Sequence, residues 1–233
     1  MPHVPLLPLL ARPSPVGGPV MALLQAATTA GALFENPGLI SYRTPDNQQD
    51  RFLLLGGETK KVAHQLRDAL RAEQYCALED RRPSFEGIAY GGLDRRSTGV
   101  ILNDKITGLE KYTLRCITAG AMASCSRLQK AKILETPHCR CCGAELESYM
   151  HIIDDCQDLN PIRFRDFTEE EWGRLPACVR SHGLIPIRVD PAEIPERYHG
   201  EPQALAADVQ YTLLDMFAHR AERMGRPAPQ PRL

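Results

Sequence analysis

The chain lacks an excess of charge of either sign. Its 28 Lys and Arg stand against 29 Asp and Glu, a net −1 over 233 residues. That balance excludes a globally basic protein while leaving room for a local basic face. It also lacks an apolar run long enough to span a bilayer. The opening MPHVPLLPLLARPSP has no Lys/Arg-rich start, and Pro2, Pro5, Pro8, Pro13 and Pro15 interrupt its apolar residues. It is a poor secretory signal. Catalytic signatures are missing as well. There is no Walker A lysine loop, no Gly-x-Ser-x-Gly and no His-Glu-x-x-His. Asp154-Asp155 sits outside the aromatic hairpin context of a polymerase metal site. These absences point to a soluble, intracellular protein, nuclear or cytoplasmic, with no membrane association and no self-contained active site.

Cysteine, in contrast, is plentiful. Eight cysteines without a secretory signal favour a reducing compartment and metal binding over a disulfide framework. Four of the eight fall in CRCCGAELESYMHIIDDC. There Cys139-x2-Cys142 is followed by His151-x4-Cys156. Three thiolates and one imidazole at these spacings match a closed, structural Zn2+ site with Cys139, Cys142, His151 and Cys156 as ligands. Such a core carries about one net negative charge. Cys141 adds a thiol that competes as ligand, but Cys139/Cys142 has the knuckle spacing, with Gly143 placed for the tight turn. Cys76, Cys116, Cys125 and Cys178 read as buried thiols. His64, His182, His199 and His219 show no evident partner.

Around the knuckle the pattern is mainly α, with helices around a small Cys3His zinc knuckle and disordered Pro-rich termini. Residues 1–19 form a disordered tail. Residues 20–104 form a helical and loop region, with a short helix over 20–34, loop over 35–51 and the clearest helix over 58–79. In that helix Val62, Leu66, Ala69 and Leu70 recur at helical spacing. A short strand is expected at Gly99–Leu102. Residues 105–186 hold a helix over 106–134 that Gly120 can split, the knuckle at 139–156 with a helix over 145–155, and a linker. In the linker Thr168 and Glu171 form a capping-box pair, and Trp172 anchors packing. Residues 187–233 comprise loop, an amphipathic helix over 202–224 through Leu205, Val209, Leu213, Met216 and Phe217, and a Pro-rich tail.

Charge is unevenly placed. Lys105, Lys111, Arg115, Arg127, Lys130, Lys132 and Arg140 dominate the stretch up to the first ligands. After Glu145 the sign reverses through Glu147, Asp154, Asp155, Asp158, Asp166 and Glu169 to Glu171. Arg127, Lys130, Lys132 and Arg140 are therefore the candidate phosphate contacts for RNA or DNA. A knuckle that only staples neighbouring segments, beside a solvated helix face, explains the same residues.

The run LRCITAGAMASCSRLQKAKILETPHCRCCGAELESYMHIIDDC, Leu114 to Cys156, resembles the C-terminal zinc-binding region of non-LTR (LINE-like) retrotransposon reverse transcriptases. Arg115, Thr118 and Gly120 stand where that family has an Arg-x-x-Thr-Gly-like helix element, with Thr-Ala-Gly replacing Thr-Gly. Cys139, Cys142, Gly143, Glu147, His151 and Cys156 fill its finger. The family's polymerase needs several hundred residues upstream, and only 138 precede Cys139. The resemblance thus implies a truncated or detached piece with nucleic-acid binding but no polymerase or nuclease activity. The expectation is a non-catalytic zinc-binding, nucleic-acid-binding module. The alternatives are a zinc-stapled interaction or scaffold protein whose last helix binds a partner, and an accessory piece of a polymerase or nuclease.

Overall fold

The computed structural model describes residue 28 and residues 33–36, 39–43, 49–53, 59–89, 92–103 and 106–225. The chain is mostly helical and divides into two compact units. One comprises Met1–Arg81 with Ala89–Gly92, the other Arg82–Ile88 with Leu93–Leu233. The tail over 1–19 and the Pro-rich segment after Gly225 lie outside the described residues.

The first unit holds a small antiparallel sheet and one long helix. Strands β1 (Leu33–Asn36), β2 (Leu39–Arg43) and β3 (Gln49–Leu53) pair in chain order. Asn36 pairs with Leu39, and only two residues, 37 and 38, separate the first two strands in the chain. Residues 35, 36, 39–43 and 49–51 of the loop expected over 35–51 are strand, as are Leu33 and Phe34 at the end of the helix expected over 20–34, within which Thr28 is helical. The other residues of that helix, Thr28 excepted, lie outside the described residues. Strands of four or five residues separated by amides and prolines are too short to show a period of two. Helix α1 (Thr59–Arg81) runs as its spacing indicates and stops before Pro83. The side chains of its stripe, Val62, Leu66, Ala69 and Leu70, lie outside the described residues.

The second unit is built on α8 (Pro202–Arg223). Leu205, Val209, Leu213, Met216 and Phe217 are all buried, as their three- and four-residue spacing requires. Gln210, Thr212, Leu214 and Arg220 are buried too, so α8 is enclosed on more than one face. Packed against it are α2 (Arg95–Thr98), α3 (Gly108–Thr118), α5 (Asn160–Arg163) and α7 (Ala177–His182). Gln210 Nε2 donates to the carbonyls of Thr98, at 2.6 Å, and Gly183, at 2.9 Å, tying α2 and the end of α7 to α8. The last helix, which one alternative expected to bind a partner, is therefore part of the core of this unit. The strand expected at Gly99–Leu102 is corrected. Asp94 caps α2 through the amides of Arg96 and Ser97, and a 3-10 turn follows at Ile101–Asn103.

The helix expected over 106–134 is two helices, α3 and α4 (Cys125–Lys130). Thr107 and Glu110 form a reciprocal capping box at the start of α3. Gly120, at φ +61°, ends it. The Gly120 amide donates to Ile117 and the Ala121 amide to Cys116, the double bond of a Schellman turn. A Cβ at Gly120 would also lie 3.1–3.3 Å from Phe85 and His182, so both backbone and packing require glycine. Helix α6 (Glu169–Arg174) carries the Thr168–Glu171 capping box as read, and Trp172 is buried.

His182, expected to be partnerless, is the centre of a buried aromatic cluster. Its ring stacks on Phe85 at 3.9 Å and on Tyr149 at 5.4 Å between centroids. Nδ1 lies 2.8 Å from the Ile117 carbonyl, which can only accept, so Nδ1 carries the proton. Nε2 then accepts from Ser84 Oγ at 3.0 Å. Burial pushes the imidazole down to about 4, with the Ile117 carbonyl opposing and Arg82 adding to the shift. The unfolded chain takes up this proton near pH 6.5 and the folded one does not. Stability is therefore present above pH 6.5 and lost as pH falls towards 4, by about 3 kcal/mol in all. Urea midpoints measured across that window should show this slope in the wild type. His182→Asn should be less stable at neutral pH but should lack this part of the slope.

Candidate metal centre

The knuckle begins at Pro137, seven positions after α4 ends at Lys130. The Pro137 carbonyl accepts from the Glu147 amide, and the Cys139 amide donates to the Ala144 carbonyl, both at 2.8 Å. These bonds close a compact loop around Cys139–Ala144. Gly143 turns it at φ +79°, a left-handed conformation that glycine adopts without strain. The amides of Cys142 and Cys141 are directed at the Cys139 sulfur and oppose the rise that burial imposes on its thiol.

The second pair of ligands comes from a π-turn, His151–Asp155. The helix expected over 145–155 starts only at Tyr149: the Glu147 amide and carbonyl are bonded to Pro137 and Ser126, Ser148 Oγ accepts from the His151 amide, and Leu146 is exposed. His151 and Cys156 are five positions apart, which in an α-helix would place them about 140° apart around the axis. The Cys156 amide instead donates to His151 O, at 2.7 Å, and not to Ile152 O. Each turn thus holds one extra residue, which brings Cys156 back to the side of His151.

The result is a convergent group. One donor atom from each of Cys139, Cys142, His151 and Cys156 lies within 4.8 Å of the others. Cys139 Sγ and Cys156 Sγ are 3.8 Å apart, and Cys142 Sγ is 3.4 Å from His151 Nε2. A tetrahedral ion with bonds of about 2.3 Å to sulfur and about 2.0 Å to nitrogen has edges of about 3.8 and about 3.5 Å. The distances thus fit a four-coordinate metal. They do not fit a disulfide, whose sulfurs lie about 2.05 Å apart. Cys139 and Cys156 are buried, His151 is 9% exposed and Cys142 is half-buried. Four protein donors leave no open coordination position, which is the structural type of site. Cys141 is not part of the convergent group, and burial and the neighbouring Cys139 push its thiol up to about 12.

Glu147 connects this loop to the core. It is fully buried, and its Oε1 accepts from the Cys125 amide at 2.7 Å and from Arg220 Nη2 at 2.6 Å and Nε at 3.1 Å. Burial raises its carboxyl pKa, but Arg220 and the Cys125 amide more than offset this and hold it below the usual range. The pair joins residues 73 positions apart, and nothing local in the sequence signals it. The four cysteines read as buried thiols divide: Cys125 and Cys178 are buried, Cys116 is half-buried and Cys76 is exposed.

Of the candidate phosphate contacts, Lys130, Lys132 and Arg140 are exposed, and none forms an ion pair among the described residues. Arg127 is exposed as well, but its Nη1 donates to the carbonyls of Gly120, at 3.3 Å, and Met122, at 3.4 Å. It braces the turn between α3 and α4. Several carboxylates of the downstream acidic stretch are paired internally. Asp166 and Asp215 share Arg165, Glu171 holds Arg197, and Asp158 lies 3.8 Å from Arg223. Arg180 lies 3.2 Å from Asp154, close but not aligned as a hydrogen bond. His64 and His199 also have partners, Asp68 for the first and the Pro191 and Ile194 carbonyls for the second. No described helix is long and apolar enough to cross a membrane.

No family model matches the chain, and comparison with curated proteins and with solved structures yields no match.

Metal analysis of the purified protein should find about one tightly held ion per chain, and Cys142→Ser should lose it. Arg220→Met should destabilise the fold by about 3–5 kcal/mol, because it strands a buried carboxylate. The double variant with Glu147→Gln should recover part of that loss in a urea titration.

Proposed function

We propose that this protein is a non-catalytic zinc module that binds RNA or DNA through the basic strip next to its knuckle. The observation that carries this reading is the asymmetry of charge use. Asp154, Asp158, Asp166 and Glu171 of the acidic stretch lie on arginines of the same unit, whereas Lys130, Lys132 and Arg140 project unpaired beside a closed cluster. The donor set of three sulfurs and one imidazole nitrogen selects zinc among the common structural metals. Zinc holds the loop rigid, so that cations next to it meet phosphates without first being ordered. The contact set is Lys130, Lys132 and Arg140, with Arg127 setting the turn behind them. Derivation from a retroelement reverse transcriptase rests on the motif resemblance of Leu114 to Cys156.

A second reading, a zinc-stapled scaffold, draws on different residues. Leu109 and Tyr112 are exposed one turn apart on α3, and Ile133 and Leu146 are exposed near the knuckle. A protein partner would cover such side chains.

Titrating labelled single- and double-stranded RNA and DNA against salt separates the two. Three phosphate contacts predict log affinity falling with log salt at a slope of about −2 to −3. Lys130→Glu with Lys132→Glu should abolish binding without loss of metal. No binding of any strand at low salt would reject the nucleic-acid reading and leave the scaffold.

A further inference from the structure

We propose that Arg163 is the buried counter-cation of the metal centre, holding the π-turn that presents His151 and Cys156 and neutralising the charge of the loaded site. This rests on the reading of the four ligands as a zinc site.

Arg163 ends α5 and is 1% exposed, one of the largest side chains fully enclosed by the protein. A second enclosed guanidinium among the described residues, that of Arg220, lies directly on the Glu147 carboxylate. Arg163 has no such partner. Among the described residues no carboxylate lies within ion-pair distance of it. Its Nη1 donates to Asn160 Oδ1, and its Nη2 donates to the Ile152 carbonyl at 3.2 Å and the Cys156 carbonyl at 3.5 Å. Its Nε is buried without a partner. A buried cation served only by neutral acceptors is costly unless an opposite charge lies near.

The metal centre adds to the charge that Asp154 supplies from beyond ion-pair distance. Three thiolates, one neutral imidazole and a dication sum to about −1 at a buried core. Arg163 is bonded to the backbone of one of those ligands. Burial lowers its pKa, and the charges of Asp154 first, then of Cys156, Asp155 and Glu169, oppose that lowering. The placement of Nη2 is specific to the π-turn. Because the Cys156 amide goes to His151 O, Ile152 O is left for another donor, and Arg163 takes it. One side chain therefore both serves the carbonyl released by the widened turn and balances the site it creates. A site with two thiolates and two imidazoles would be neutral and would not need the cation.

The test is zinc affinity of the full chain, measured by competition with a chromophoric chelator, with circular dichroism as the check on folding. Arg163→Gln keeps a donor and removes the charge, whereas Arg163→Lys keeps the charge. The first should weaken zinc about 10- to 100-fold and the second by no more than about 3-fold. Cys142→His, at the half-buried ligand, makes the core neutral, and in that background Arg163→Gln should cost much less. A merely structural arginine would cost the same in both backgrounds. The proposal fails if Arg163→Gln binds zinc as the wild type does, if Lys falls as far as Gln, or if the Gln loss is equal in the two backgrounds. A wild type that holds no zinc would instead overturn the metal centre itself.

Discussion

Three sulfurs and a ring nitrogen drawn to within 4.8 Å of one another set the arrangement of the residues around them. Without an ion, that convergence would crowd buried polar groups with little to hold them. With one, it supplies folding energy that an 18-residue loop cannot obtain from its own apolar contacts. The surrounding structure serves the convergence from both sides. Gly143 and the Cys139–Ala144 bonds shape the first pair of ligands, and the π-turn shapes the second.

The loop is not an appendage. Glu147, inside it, is bonded to the first amide of α4 and to Arg220 near the end of α8. Helix α8 in turn orders α2, α3, α5 and α7. Metal site, ion pair and helical core therefore form one connected set within the second unit. The aromatic cluster around His182 belongs to it too, since Tyr149 stacks on His182 and lies two residues before the ligand His151.

What could be read in the linear chain was whatever is encoded locally. Ligand spacing, the Thr168–Glu171 cap, the stop at Pro83, the break at Gly120 and the buried stripe of α8 depend on residues within a few positions of one another. The short strands could not be read, because pairing between segments replaces the missing period. The π-turn could not be told from an ordinary helix end. Arg220, Arg163 and the partners of His182 were invisible for a further reason. Their roles arise from contacts up to 98 positions away, and an isolated basic residue looks the same whether it meets water or a buried carboxylate.

The widened turn at His151–Asp155 has a consequence for how the chain could be lengthened or shortened. Ordinary α geometry brings residues four apart to one side, so a His-x3-Cys version of this loop would present the same two donors without the widening. Deleting one residue between Ile152 and Asp155 would convert one form into the other while leaving both ligands in place. It would also return the Ile152 carbonyl to its backbone partner and release Arg163 from it. The bulge and the arginine should therefore be gained or lost together, as a single step of insertion or deletion.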